Sequence, residues 1–461
     1  MSAVGRSIGG AATLAEPRAV VVGGGMAGLL AAHALAAHVD AVTLVERDRL
    51  PDGPVIRPGV PQAHHVHVLL TLGRVLLEER FPGFGDELAA AGAMRVEWPA
   101  DLLWLSPVGW AARPRVGIWT YACSRELLEW LVRRRVLASG KVQVLAGYDA
   151  VGLTATADGR AVTGVRLRAR DGGRPTELRA GLVVDASGRG SRAPEWLQAL
   201  GYAPPAETTV DSFLGYASRV YAAPDDDLGW KVLIVQSRPP DLPRTGIISP
   251  VEGGRWMVTL SGAARDYPPI DEAGFLAFAR QMAGPVLHEA IENVRPLSPI
   301  HGYRGTQNRI RHYERLAALP ERFLVLGDAA CAFNPIYGQG MTVGLQAAAV
   351  LDRCLAVQGL AHPAGLAKRF QHELATANSA AWLMATGADY QYPTTVGGRR
   401  SPVVRMAHRY LDRMLRVGTR DAVVMRRFLE AAHLLCPPAR LFAPTIAARV
   451  LLPRRARRRA G

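Results

Sequence analysis

Residues 19–28 read AVVVGGGMAG, and LLAAHALAAH follows without a break. A short β-branched run, three glycines in a G-x-G-x-x-G frame and an alanine-leucine stretch stand in the order strand, tight turn, helix. In that order each glycine has a task. Gly23 makes the turn, Gly25 leaves room for a pyrophosphate against the backbone, and Gly28 lets the helix pack on the strand. The helix then turns its free N–H groups, at Met26 and Ala27, toward the phosphates. A second strand-like run, AVTLVERD (41–48), carries Glu46 at the place for a carboxylate that accepts ribose hydroxyls. The stretch predicts a nucleotide-binding α/β domain and leaves NAD and FAD both open.

A second stretch narrows the choice. Residues 322–349 read RFLVLGDAACAFNPIYGQGMTVGLQAAA. Asp328 ends a strand, where its carboxylate can accept hydrogen bonds from a polyol such as a ribityl chain. Pro335 stiffens the loop after Asn334, and Gly338 and Gly340 permit close backbone approach. A helix from about Gly340 points its positive end back at the loop. That end suits the edge of a flavin ring, which gains negative charge on reduction. Asn334, Pro335, Gly338 and Gly340 are therefore read as a flavin-edge loop, and the cofactor as FAD.

With these residues in view, the chain resembles the single-component, class A FAD-dependent monooxygenases of the para-hydroxybenzoate hydroxylase fold. The landmarks run in the family's order: Gly23/Gly25/Gly28, the acid–arginine pair Glu46-Arg47, Arg125-Glu-Leu-Leu128, Asp185-Ala-Ser-Gly-Arg-Gly-Ser191, and Gly327-Asp328 through Pro335, Gly338 and Gly340. Within that group it is most similar to the alkene epoxidases of polyether pathways, through RPGVPQAHHVHVL (57–69), YACSRELLEW (121–130), EGGRWMVTLSG (252–262) and GDAACAFNPIYGQGM (327–341). Squalene epoxidases resemble it more distantly. The resemblance implies that Arg47, Arg57 and Arg125 join the cofactor contacts, and that Gly340 and Met341 offer backbone N–H groups to the flavin ring. It also implies insertion of one oxygen atom from O2 into an alkene of a large apolar substrate through a flavin C4a-hydroperoxide. Hydroxylation of an aromatic or polyketide substrate is the alternative. Two positions depart from the family: the central motif reads D-A-S-G rather than D-G, and Cys331 stands where many aromatic hydroxylases carry histidine.

Only one G-x-G-x-x-G is present, so NADPH or NADH is expected to bind transiently, or a separate reductase supplies the electrons. Flavin-dependent halogenases share the fold but carry a W-x-W-x-I-P motif and a catalytic lysine. No W-x-W occurs here, and the chain has three lysines, Lys141, Lys231 and Lys368. The aromatic motif of geranylgeranyl reductases is also absent.

The expected fold is a discontinuous Rossmann-like FAD domain (19–190 and 300–365), an antiparallel substrate sheet (191–299) and a helical segment with a basic tail (366–461). Residues 1–18 are expected to be flexible and residues 80–115 to serve the substrate side. At 49% hydrophobic and 21% charged, 461 residues suffice for such cores. The net charge of +15 sits in the tail: from Arg399 onward there are 16 arginines against three acids, while the remaining 39 bases nearly match 37 acids. A basic nucleic-acid binder rests on that tail alone and leaves both glycine motifs unexplained. The tail is read either as a solvated face whose apolar stripe packs on the FAD domain, or as a docking surface for an anionic membrane or an acidic carrier protein. The four cysteines show no C-x-x-C spacing and the first 17 residues no apolar core, so the expected compartment is a reducing cytoplasm. His64, His65 and His67 match no common zinc spacing, so no metal is expected. Trp104, Trp110 and Trp119 are candidates to line a pocket.

Overall fold

The computed structural model describes residues 19–360, 363–398 and 402–452. Residues 1–18, the side chain of Val403 and the closing arginines (Arg454, Arg455, Arg457, Arg458 and Arg459) lie outside the described residues. The chain begins β1 (Ala19–Val22), α1 (Met26–Ala36), β2 (Val42–Glu46), α2 (Thr71–Arg80), α3 (Phe84–Ala90), β3 (Met94–Pro99), β4 (Leu102–Ser106), β5 (Gly109–Trp110), β6 (Arg115–Ala122) and α4 (Arg125–Leu137). It continues β7 (Val142–Ala146), β8 (Tyr148–Ala155), β9 (Val162–Ala169), β10 (Thr176–Arg179), β11 (Val183–Asp185), α5 (Ala193–Ala199), β12 (Glu207–Val210), β13 (Gly215–Ala222), β14 (Val232–Val235), β15 (Arg244–Val251), β16 (Arg255–Gly262), α6 (Glu272–Arg280) and α7 (Val286–Ile291). It closes with β17 (His301–Tyr303), β18 (Asn308–Arg311), β19 (Phe323–Val325), β20 (Cys331–Ala332), α8 (Gly340–Gln358), α9 (Leu366–Asp389), α10 (Pro402–Gly418), α11 (Ala422–Ala432) and α12 (Pro444–Leu451).

Five parallel strands, in the order β19-β11-β1-β2-β7, form the nucleotide sheet. β1 lies at its centre and every residue in it is buried. A central parallel strand has no solvated face, which is why its sequence is an unbroken Ala-Val-Val-Val rather than an alternation. α1 and α8 pack together beside it through Leu29, Leu30, Leu345 and Leu351. α8 is long and apolar enough to cross a bilayer by length and composition, yet it packs against α1, α2 and α9 in this core. An antiparallel trio, β10-β9-β8, branches off between β7 and β11.

The second sheet has seven strands in the order β17-β13-β16-β15-β14-β4-β5. All neighbours are antiparallel except β14 and β4, which run parallel. Its core joins Leu233, Ile248, Val258 and Leu260 to Phe275, Phe278, Leu287 and Ile291 of α6 and α7. Residues 102–110 thus enter this sheet as β4 and β5. Residues 301–303, read from sequence with the FAD domain, also belong to it, because β17 pairs with β13.

The basic segment packs differently from expectation. Met414 and Val424 close a small core of their own with Leu441, Ile446 and Val450. Met425 and Leu429 of α11 then pack on Val96, Leu102, Trp104, Ile118 and Val232. The stripe read from sequence, with Tyr410, Met414, Val417 and Val424, therefore packs chiefly within the C-terminal segment itself, and Phe428 joins Met425 and Leu429 against β3, β4, β6 and β14. Those strands offered an uncovered apolar surface, whereas α1, α8 and α9 had already covered the nucleotide sheet.

Candidate active site

The turn after β1 takes the shape its glycines require. Gly23 has φ +102°, and a Cβ there would stand 2.5 Å from the Ala186 carbonyl oxygen. A Cβ on Gly28 would stand 1.8 Å from the Gly23 carbonyl oxygen, so helix and turn meet at backbone distance. At Gly25 nothing lies within 4 Å of that position, and α1 starts there without a side-chain cap. The first N–H groups of α1, at Met26 and Ala27, thus open on free space at the positive end of the helix.

Beside this turn lies a buried charge cluster. Glu46 accepts from Gly24 N at 2.6 Å and from Asp48 N at 2.9 Å. The carboxylate is therefore held rigidly, and the oxygen that accepts from Gly24 keeps a lone pair for a further donor. Arg57 bridges the acids: Nη1 stands 2.9 Å from Asp48 and 3.2 Å from Glu46, Nε donates to Glu129 at 2.9 Å, and Nη2 donates to the Gly24 carbonyl at 3.1 Å. Arg125, the first residue of α4, reaches Glu129 through Nη2 at 2.8 Å. Burial pushes the Glu129 carboxyl up, but Arg125 and Arg57 outweigh it and hold it below the ordinary carboxylate range. Nη1 of Arg125 is buried with no hydrogen-bond partner. A buried guanidinium N–H with nothing to donate to, beside an open helix terminus, suits an anion. These groups fit the diphosphate of a dinucleotide. Arg47, between Glu46 and Asp48, is exposed.

The second loop meets the first at Ala27. A Cβ on Gly327 would stand 2.8 Å from the Ala27 Cβ, and one on Gly344 3.4 Å from it. Asp328 leaves β19 in a short 3-10 turn, its side chain 41% exposed and 4.0 Å from Arg189 Nε. One of its oxygens lies 4.0 Å from where a Gly340 Cβ would stand, so the carboxylate faces the start of α8. Gly338 has φ +63° and reverses the chain after the Pro335–Tyr337 turn. Met341 lines a cavity with His67, Tyr121, Cys123, Ser124 and Arg125. The structure thus brings together Gly23, Gly25, Gly28, Glu46, Arg57 and Arg125 on one side, and Asp328, Gly340 and Met341 on the other.

A third group was invisible in the sequence. Asn334 is 1% exposed, and behind it lies Asp389, the last residue of α9. Asp389 accepts from Tyr337 OH at 2.8 Å, from Asn308 Nδ2 at 2.6 Å and from Asn334 Nδ2 at 3.2 Å. Asn308 Oδ1 in turn accepts from Asn334 N at 2.7 Å. Nothing in the sequence marks an acid 55 positions after Asn334 as its partner.

The second sheet closes the other wall. Tyr216 of β13 donates to Asn334 Oδ1 at 3.4 Å, and Tyr303 of β17 has its hydroxyl raised by burial, with Arg189 and Asp328 acting on it. His65 packs against both tyrosine rings at 5.7 Å and shares a 2.7 Å hydrogen bond with Ser218. Burial, with its histidine neighbours, pushes His65 down to about 3. Burial and the Arg125 charge push His67 down to about 4, so both imidazoles are neutral at pH 7. His64 stacks on His301 at 3.7 Å. Among the described residues no group of three His, Cys, Asp or Glu side chains is placed to hold a metal. Cys331 is 1% exposed and burial raises its thiol well above the ordinary range, which leaves it inert. The three tryptophans line neither cavity of this region. Trp104 is core under Phe428, Trp110 is half exposed on the β5 hairpin, and Trp119 lies between Arg74 and Arg95. Their strand positions faced α11 and the surface instead.

Comparison with known proteins places this geometry. Residues 19–194 match the family model described as FAD dependent oxidoreductase. Protein Rv3254 of Mycobacterium tuberculosis is 32% identical over 428 residues, covering 91% of this chain and 90% of the relative. Among solved structures, p-nitrophenol 4-monooxygenase PnpA from Pseudomonas putida DLL-E4 superposes with TM-score 0.65 at 18% identity, covering 90% of this chain and 98% of that one. The flavin-dependent brominase Bmp2 gives TM-score 0.63 at 16% identity, covering 90% and 93%. At such identities the structures share the fold alone. The family match, the full-length relative and the two converging glycine loops agree: this chain belongs to the FAD-dependent oxidoreductases.

Proposed function

We propose that the protein is an FAD-dependent monooxygenase that inserts one oxygen atom from O2 into a large, mostly apolar substrate, with alkene epoxidation as the reaction. The observations that carry this reading are the meeting of α1 and α8 at Ala27 and the partnerless Nη1 of Arg125, whose side chain lines one cavity with Met341 of α8. Gly25, Met26, Ala27 and Arg125 hold the diphosphate, Glu46 takes ribose hydroxyls, Asp328 takes the ribityl chain, and the N–H groups at Gly340 and Met341 face the flavin edge. When bound, the flavin supplies the oxygen chemistry. The chain's part is to orient the substrate and exclude water. The neutral imidazoles and buried tyrosines fit that task, since none carries charge at pH 7. Electrons come from NADPH or NADH, directly or through a reductase.

Hydroxylation is the competing outcome, and the product distinguishes the two. Halogenation finds no lysine at this site: Lys141 Nζ donates to the Ala36 carbonyl, Lys231 to Asp101 and the Arg95 carbonyl, and Lys368 is exposed on α9. The test uses purified protein with squalene, linear polyenes and phenols under labelled oxygen gas. One labelled atom in an epoxide product supports the reading. A phenolic product points to hydroxylation, and label taken from water overturns both.

The basic segment is proposed to dock on an anionic membrane, where an apolar substrate partitions. Met406, Phe442, Leu451 and Leu452 are exposed there amid arginines, and Phe442 stacks on Tyr410 one helical turn after Met406. Arg413 ties the end of α12 to the same flank of α10.

A further inference from the structure

The flavin-edge loop is held from behind by an acid that belongs to another part of the chain. Asp389 is 1% exposed, and its side-chain donors, Tyr337, Asn334, Asn308 and Ser212, are all neutral. Tyr337 and Asn334 stand at the two ends of the turn that carries Pro335 and leads to Gly338 and Gly340. Asn308 fixes the same turn from β18 through its bond to Asn334 N. The Asp389 backbone is fixed as well, since Thr395 Oγ1 donates to its carbonyl at 2.5 Å. One carboxylate thus gathers β18, the turn before α8 and the end of α9.

We propose that Asp389 is the positioning residue of the flavin-edge loop: its carboxylate clamps Asn334 and Tyr337 together, and taking up a proton releases that clamp. The proposal rests on the reading that this loop borders a flavin. The chemistry follows from the donor count. An ionised carboxylate only accepts, and here every neighbour donates. A carboxyl proton would point at one of those donors, so at least one bond must break or turn, and the Tyr337 hydroxyl is the group free to rotate. Burial drives Asp389 up to about 6, against the pull of its donors, so both forms are within reach of ordinary pH. Other titratable groups face it. Tyr216 from β13 and Tyr337 both have hydroxyls raised well above the ordinary range by burial, and burial raises Tyr392 to about 12. All three stay neutral in this window. His408 of α10 bonds the Gly387 carbonyl at 2.7 Å, two residues before Asp389. Arg189 acts on Tyr216 through its charge.

The test is a pH titration of the FAD-loaded protein from pH 5 to 8, reading the visible absorbance of bound flavin. The wild type is expected to show one transition with a midpoint near 6. Asp389→Asn should lack it, and His408→Gln should keep it. Tyr337→Phe removes one donor to the charged form and should move the midpoint upward, by on the order of one pH unit. A purely structural Asp389 would not move a midpoint. A transition that survives in Asp389→Asn, a midpoint unmoved in Tyr337→Phe, or a flat wild-type titration overturns the proposal. Should the protein carry no FAD, the function proposed above fails, and the clamp is read in unfolding instead. An acid whose folded value is raised makes stability fall as pH climbs from about 4 to above 6. Wild type should show that slope more steeply than Asp389→Asn; equal slopes would refute the clamp there too.

Discussion

Replacing Arg57 by methionine removes the one side chain that bridges three buried carboxylates, those of Glu46, Asp48 and Glu129, while keeping its apolar stem. Arg57 is 6% exposed, so little water can replace it. Removing one partner of a buried ion pair costs about 3–5 kcal/mol, because the other charge stays buried. With about 2.1 cal/mol/K of unfolding entropy per residue, a chain of 461 residues should melt about 3–5 °C lower. The pH dependence is the sharper signature. In the wild type the folded Glu129 is held low by Arg125 and Arg57 against burial. Its contribution is present above the unfolded value and lost as pH falls through the folded one. Without Arg57, Arg125 alone opposes burial and the folded value moves upward, so ionised Glu129 is less favourable at neutral pH than in the wild type and acidification relieves part of that cost. Denaturant unfolding at pH 7.5 and 5.5 should therefore show a smaller deficit at the lower pH, and adding Glu129→Gln should restore part of the loss. A deficit below about 1 kcal/mol, or one equal at both pH values, would refute the reasoning.

Purified protein should be yellow and release FAD rather than FMN on acid treatment, since the Gly23–Gly28 turn and Glu46 serve an adenosine half; release of FMN would overturn the assignment. Asp328→Ala should weaken FAD binding by about 1.5–3 kcal/mol, the worth of a charged acceptor, read by fluorescence titration; unchanged affinity would remove Asp328 from the site. Deleting residues 453–461 should leave FAD content intact and abolish sedimentation with anionic vesicles at low salt. Wild-type protein that does not sediment with them, in low salt, would sink the membrane reading, and capture of an acidic carrier protein instead would assign the surface to that partner.

The parts of the fold readable in advance were those where one local demand fixes the residue. Gly23 and Gly28 sit where backbone meets backbone, so no other residue fits, and the demand is written in the sequence itself. The same holds for β1, whose burial on both faces leaves an uninterrupted apolar run. Asp389 was not readable because its demand is non-local: it answers to Asn308, Asn334 and Tyr337 on other elements, and an aspartate ending a helix looks like any polar terminus. The destination of the apolar stripe on α11 failed for a related reason. Helical spacing marks Val424 and Phe428 as an apolar stripe, but not which surface is left for them to cover, nor that Met425 and Leu429 beside them carry the contact with β3, β4, β6 and β14.

The place of β19 in the nucleotide sheet has a consequence for synthesis. β19 pairs with β11, yet residues 186–322 are made between them, and these include β12 through β18. While the chain grows, β11 presents Val183 and Val184 on a bare strand edge, an invitation to wrong partners. The seven-stranded sheet, whose last strand ends at Tyr303, has all its segments in hand before β19 appears. The Ala27 contact with Gly327 and Gly344 forms later still, when α8 leaves the ribosome. The two glycine loops of the cradle therefore meet only after every strand of the second sheet has been made, and α11, which covers β4 and β14 of that sheet, follows later still.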